Sequence, residues 1–219
     1  REYAILGTTT GTSIVRLTDP RNPVEVAFIG GPPTDWREMK QYGNWVYVCC
    51  EGAGTGRGIQ IISMENPDSP NLVKTYKTGF DTAHTVSVDT TRAILYCNGT
   101  SIGMVALALQ PQAGASNASP TNPQEIGVFS DYYVHDLHLR GTLGYVAAIN
   151  NGFESILDLT SPGNLYSGAA IVEIKRWNTP ASFTHNSWTT KNVDYLIVTE
   201  ENSGGKPKVY DITGPGTPI

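Results

Sequence analysis

No apolar run in the 219-residue sequence approaches the roughly 20 residues that a bilayer-spanning helix needs. The longest, around Met104 to Leu109, has the length of a strand. Lys and Arg nowhere cluster, and 15 of them stand against 20 Asp and Glu for a formal charge of −5. The electrostatic footprint of a nucleic-acid or anionic-membrane binder is therefore missing, and neither a nucleic-acid partner nor a membrane span is expected. Cysteine is sparse: Cys49, Cys50 and Cys97 are an odd number, form no disulfide framework and leave the redox compartment open. Charged residues make up only 16% of the chain, whereas 23 Gly and 14 Pro supply punctuation for many short strands and turns rather than for long helices. Arg1 opens the sequence without Met or a signal-like segment, as in a mature product, a proteolytic piece or the ordered part of something longer.

What the sequence does contain is an internal repeat. Leu17-Thr18-Asp19-Pro20-Arg21-Asn22-Pro23-Val24 matches Met64-Glu65-Asn66-Pro67-Asp68-Ser69-Pro70-Asn71 at an offset of 47 residues. An apolar strand end is followed by a polar pair and two prolines three apart. The turn returns at Ile212-Thr213-Gly214-Pro215-Gly216-Thr217-Pro218-Ile219, and in expanded form at Asn122-Pro123 and Ser161-Pro162. Asx side chains bond their own backbone and the proline ring fixes φ, which is why these residues make turns.

Between the turns the apolar pattern has period two and is rich in β-branched and aromatic residues, as buried strands require. The second unit reads as strands Arg37–Tyr42, Trp45–Cys50, Gly58–Ser63 and Leu72–Lys77, and the third as His84–Val88, Ala93–Asn98, Met104–Leu109 and Glu125–Ser130. The fourth gives His135–Arg140, Gly144–Asn150, Glu154–Leu159 and Ala170–Trp177. Units of about 40 to 50 residues with four strands each are the mark of a β-propeller. The fold class expected is all-β, a propeller of four-stranded blades in a single domain, with blades at about residues 1–30, 36–78, 83–130, 134–178 and 184–219. The first unit lacks an inner strand and the last an outer one, which makes some four and a half blades. Because a propeller closes to remove its edges, further blades from a longer chain or another chain are expected to complete a larger ring.

The Leu17–Val26 turn resembles the LVIVD repeat. The series Trp36-Arg37-Glu38-Met39-Lys40, Thr82-Ala83-His84-Thr85, Tyr133-Val134-His135-Asp136 and Thr184-His185-Asn186-Ser187-Trp188 resembles the choice-of-anchor B family of surface propellers. The likeness runs over nearly the whole chain. It implies a secreted or cell-surface protein, a ring of about seven blades, and partners that are extracellular proteins or glycans, and it names no agreed activity.

Aligned by inner strands, the units place Arg37, His84, His135 and His185 at one position, with spacings of 47, 51 and 50 residues. Equivalent inner-strand positions surround the central channel at one height, so three imidazoles and a guanidinium converge on one axis. Glu51, Asn98, Asn150 and Glu200 end the second strands on the same face. His84, His135 and His185 are the candidate ligands of a divalent metal ion, since neutral imidazole suits Zn, Cu, Fe or Ni and three ligands leave a position open. The competing reading is that each His satisfies a backbone group at a blade junction. It draws support from the expectation that a wide channel holds these strands too far apart for ligand bonds of about 2 Å. The candidate ligand-binding residues are Arg37, Glu38, Asp136, Asn186, Trp36 and Trp188. Arg37 offers a permanent cation that pairs with Glu38 or Asp136, and the tryptophans stack on a ligand or pack between blades.

The glycine-rich run Gly52–Gly58 has no following helix to hold a phosphate, so no nucleotide site is expected. Asn98 and Asn117 head glycosylation triplets, of which Asn117, in the polar loop Gln110–Pro123, is better placed. No nucleophile–base pair stands out. The leading expectation is therefore a non-catalytic extracellular binding module, not an enzyme and without a required cofactor. The alternative is a metal-dependent, hydrolase-like enzyme at the histidine mouth, and a third reading is a structural subunit of an extracellular assembly.

Overall fold

Among the described residues, eighteen strands form five antiparallel sheets in chain order in the computed structural model, which describes residues 1–161, 171–214, 216 and 218. The first sheet has three strands, β1 (Tyr3–Thr8), β2 (Gly11–Arg16) and β3 (Val24–Gly30). The second is β4 (Arg37–Tyr42), β5 (Trp45–Cys50), β6 (Ile59–Ser63) and β7 (Asn71–Tyr76). The third is β8 (Thr85–Asp89), β9 (Ile94–Thr100), β10 (Gly103–Ala108) and β11 (Gln124–Phe129). The fourth is β12 (Asp136–Arg140), β13 (Leu143–Ala148), β14 (Phe153–Asp158) and β15 (Val172–Asn178). The fifth is β16 (Thr184–Thr189), β17 (Tyr195–Glu200) and β18 (Lys208–Asp211). A single 3₁₀ turn, Ile149–Asn151, is the only helical element among the described residues.

These sheets are the blades of a propeller, and their boundaries fall close to those read from the sequence. Two differences have local causes. Ala93 is in the turn before β9 rather than in the strand, with φ +54°. His84 and His135 precede β8 and β12, although each amide still bonds across to the second strand, His84 to Asn98 O at 2.9 Å and His135 to Ala147 O at 3.0 Å. Of the expected turns, Pro162, Pro215, Thr217 and Ile219 lie outside the described residues, as does Ala170 of the expected strand Ala170–Trp177. The paired turns owe their shape to Asx side chains: Asp19 Oδ1 accepts from the Arg21 amide at 3.0 Å and Asn66 Oδ1 from the Asp68 amide at 3.3 Å.

Alternation along each middle strand sends side chains into two different cores. On β5, Val46 and Val48 pack against Ile14 and Ile62 toward the first sheet, while Tyr47 and Cys49 join Val86, Leu95 and Leu107 toward the third. On β9 and β10, Tyr96, Met104 and Ala106 face the fourth sheet with Val146 and Phe153. Tyr145, Ile156 and Trp177 meet Leu196 and Val198 at the last junction. A blade buried on both faces reads as a continuous apolar run, as Trp45–Cys50 does. The end sheets differ. Leu6 and Phe28 on the first, and Tyr195, Ile197 and Val209 on the last, remain exposed.

The loop after β10 departs from the expectation of a wholly exposed polar segment. Ala115 and Ala118 are buried in the core beside the fourth sheet, and Pro120 O accepts the Tyr47 hydroxyl at 2.9 Å. Asn117 stays exposed on this loop, whereas Asn98 is fully buried and its Nδ2 donates to Thr85 Oγ1 at 3.0 Å, which removes it as a glycan acceptor in the folded chain.

Leu107→Ala, at a fully buried position, is expected to cost about 2–5 kcal/mol of stability. Ile197→Ala, on the exposed face of the last sheet, is expected to stay within about 0.5 kcal/mol. Urea denaturation midpoints of the two variants check the contrast.

Candidate functional site

The four inner strands β4, β8, β12 and β16 stand side by side, and the histidines at the heads of the last three form the expected row. The imidazoles are much closer than a wide channel implies: ring centroids are 4.2 Å apart for His84 and His135 and 4.6 Å for His135 and His185. The objection that matched strands hold these rings too far apart does not hold. His135 is buried, and its Nδ1–H donates to the carbonyl of His185 at 2.8 Å, which leaves Nε2 with the free lone pair. Burial, with help from the neighbouring His84, lowers the His135 pKa to about 4, so the ring is neutral at pH 7.

Nδ1 of His84 bonds Glu51 Oε1 at 2.9 Å, and its backbone carbonyl lies 3.4 Å from the Cys49 thiol. Gly99, at φ +63°, permits the approach of Tyr133 to this histidine, because a Cβ there falls 2.7 Å from both His84 Cβ and the Tyr133 hydroxyl. Nε2 of His185 is 3.7 Å from Glu201 Oε2. Ligand atoms of His135, His185 and Glu201 all lie within 4.8 Å of one another. The set that can share an ion is thus His135, His185 and Glu201, while His84 is engaged with Glu51.

Glu201 was not among the residues read from the sequence, which place Glu200 on this face. A bulge between Thr184 and Asn186 shifts the pairing of β16 with β17 by one residue, so Glu201 takes the place that Glu51 holds beside β5. Glu200 turns instead to the Ala181 amide at 2.9 Å. Asn150 is exposed in the 3₁₀ turn.

Arg37 does not join the imidazoles. Its guanidinium donates to the carbonyls of Thr8 at 3.0 Å and Pro32 at 2.7 Å, and pairs with neither Glu38 nor Asp136. It ties the first sheet to the second. Glu38 bonds Lys40 and accepts from the Val86 amide at 3.3 Å. Asp136 accepts from Asn186 Nδ2, and burial, followed by the nearby Glu38 charge, raises its pKa. Glu38, Asp136 and Asn186, each one residue after its blade's row position, therefore form a second row, acidic at Glu38 and Asp136. Trp36 is exposed at the rim. Trp188 is three residues along β16 from His185 and rests on His138, with ring centroids 4.1 Å apart. The three thiols are buried, and burial raises the pKa of Cys49 and Cys97, so neither is a ready nucleophile.

No family model matches the chain, and no curated protein matches it by sequence. Solved structures match by fold. A periplasmic gluconolactonase of Pseudomonas aeruginosa superposes with TM-score 0.68 at 11% identity, covering 94% of this chain and 62% of its own. A protein described as a 6-phosphogluconolactonase from Bacteroides uniformis gives TM-score 0.67 at 12% identity, covering 99% of this chain and 66% of its own. The Cps50 (Swd1) β-propeller domain of Myceliophteria thermophila gives 0.65 at 14% identity, covering 96% of this chain and 65% of its own. The chain spans about two thirds of the length of these structures, and at such identities the likeness is one of fold. The expectation of a non-catalytic module is corrected on this finding: two of the three propellers are named as lactone hydrolases. His84, His135 and His185 form no local motif, because they lie 51 and 50 residues apart along the chain. Among the described residues, no helix is long and apolar enough to cross a membrane.

Burial, with a smaller push from Arg140, also lowers the pKa of His138 to about 4. Between its ordinary pKa and this value the unfolded chain takes up a proton that the folded chain refuses, so stability falls as pH falls through that window. His138→Asn is expected to remove this part of the acid sensitivity, on the order of 3 kcal/mol between pH 7 and pH 4. Thermal or urea unfolding of both proteins across that range measures it.

Proposed function

We propose that the histidine mouth is the site of a metal-dependent hydrolase acting on cyclic esters of sugar acids. The observation that carries this reading is the convergence of His135, His185 and Glu201 within 4.8 Å. Two imidazoles and a carboxylate are a donor set that suits zinc and leaves a position open. The fit is supported by the bond from His135 Nδ1–H to the His185 carbonyl, the kind of outer-shell contact that fixes which nitrogen a metal meets. A divalent ion bound there supplies an acidified water and polarises the ester carbonyl.

The chain's own residues do the rest. Glu51 holds Nδ1 of His84, which leaves the second ring nitrogen for proton exchange with the opening ester oxygen. Cys49, behind the His84 carbonyl, and Gly99, beneath its Cβ, keep the ring in place. The lactone as substrate class is taken from the named activity of the propellers that share this fold. An extracellular or periplasmic address is part of the same proposal, supported by the periplasmic gluconolactonase and by the resemblance of the histidine motifs to choice-of-anchor B propellers.

Purified protein is expected to carry one equivalent of a divalent metal and to accelerate hydrolysis of glucono-δ-lactone in a pH-stat above the spontaneous rate. Chelation abolishes the acceleration and metal restores it. His135→Ala and Glu201→Gln lose the metal, and His84→Asn keeps it while the rate falls by about 10²-fold or more. Metal-free protein that stays inactive with added zinc, manganese or magnesium overturns the reading.

A further inference from the structure

Farther along the same four inner strands, about 10 Å from the histidine row at roughly 3.3 Å per residue, the channel wall opens into a groove of about 530 Å³. Lys40 of β4, Ser87 of β8, His138 and Arg140 of β12, Trp188 of β16 and Lys191 just beyond it line the space. The lining contains three basic side chains and, among the described residues, no acidic one. In a protein of net charge −5 this is a local reversal of sign.

One of the cations is held by a bond that leaves its binding face free. Arg140 donates to the Lys191 carbonyl at 2.6 Å through one nitrogen, which fixes the guanidinium at the groove and leaves further N–H groups available. Lys191 makes no ion pair among the described residues, whereas Lys40 is partly balanced by Glu38. The aromatic floor is equally fixed. His138 is buried and its Nε2 is 3.0 Å from Thr189 Oγ1. Trp188 lies on this ring at a tilt of 34° and leaves 64% of its surface exposed. A packing tryptophan hides its indole. This one is braced from behind and presents its front.

Cations alone suit any small anion, but a braced indole beside them adds a flat apolar face, which takes the C–H face of a sugar ring. The open, one-sided platform offers no second wall for sandwiching a planar base. We propose that this groove binds an anionic sugar, with its ring on Trp188 and its phosphate or carboxylate held by Arg140 and Lys191, with Lys40 at the rim. The site is separate from the histidine mouth and does not depend on it.

The test titrates the full chain with glucose 6-phosphate, gluconate, glucose and inorganic phosphate, read by calorimetry and by tryptophan fluorescence. At least one of the two anionic sugars is expected to saturate in the millimolar range or below, and the stronger of them names the anionic group. Glucose and phosphate are expected to bind roughly tenfold more weakly or worse, each lacking one half of the interaction. Trp188→Ala abolishes binding of the anionic sugar, Lys191→Gln weakens it by roughly tenfold and lessens its salt dependence, and His135→Ala leaves it unchanged. Circular dichroism of the Trp188 and Lys191 variants, both altered at exposed side chains, verifies the fold. The proposal is overturned if neither anionic sugar saturates, if phosphate binds as tightly as glucose 6-phosphate, if Trp188→Ala binds normally, or if His135→Ala removes the binding.

Discussion

Neighbouring inner strands in this propeller share no backbone ladder among the described residues, so side chains must join them. The bonds that do so recur at about one blade's spacing. Thr85 Oγ1 donates to His135 O at 2.7 Å, Ser87 Oγ to Leu137 O at 2.6 Å, His135 Nδ1 to His185 O at 2.8 Å and Arg140 to Lys191 O at 2.6 Å. Each gives a carbonyl of one inner strand, or of the residues flanking it, a donor from the neighbouring one. The bonds of Thr85 and His135 set the spacing of the histidines, and those of Ser87 and Arg140 the spacing of the groove below them. Position in the mouth and integrity of the inner wall are one constraint, and a ring used in one of these bonds is a ring whose other nitrogen is aimed.

The repeat was legible because the physics behind it is local. Asx and proline make the turn from their own neighbours, and alternation along Trp45–Cys50 or Met104–Ala108 reports a strand buried on both faces. The row His84, His135 and His185 was legible for a related reason: equal spacing on equivalent strands implies equal height. What could not be read was anything that a single-residue irregularity decides. The bulge in β16 moves Glu201 rather than Glu200 beside His185, and nothing in Tyr195–Glu201 announces it. Arg37 occupies the same repeat position as the histidines, but its longer side chain reaches the Thr8 and Pro32 carbonyls, an outcome set by a neighbouring blade. The two alanines of the Gln110–Pro123 loop look like filler in sequence, yet they close a core.

The channel wall changes character along its length. At one end are neutral or carboxylate-paired imidazoles, then an acidic row of Glu38 and Asp136, and farther on lysine and arginine around an indole. Behind the acidic row, Glu154 is wholly buried between the fourth and fifth sheets, and burial raises its pKa strongly. Inner strands of five or six residues thus carry three chemically distinct zones without any change of fold, because each zone uses a different position of the same repeat.

Each apolar core described here belongs to one pair of adjacent sheets. Such an array behaves as a stack of pairwise adhesions, in the manner of linear repeat proteins. Damage at one junction weakens two blades and is felt only indirectly by the others. The chain is accordingly built to tolerate drift in any single blade, and selection acting on one junction leaves the chemistry of the next free to diverge.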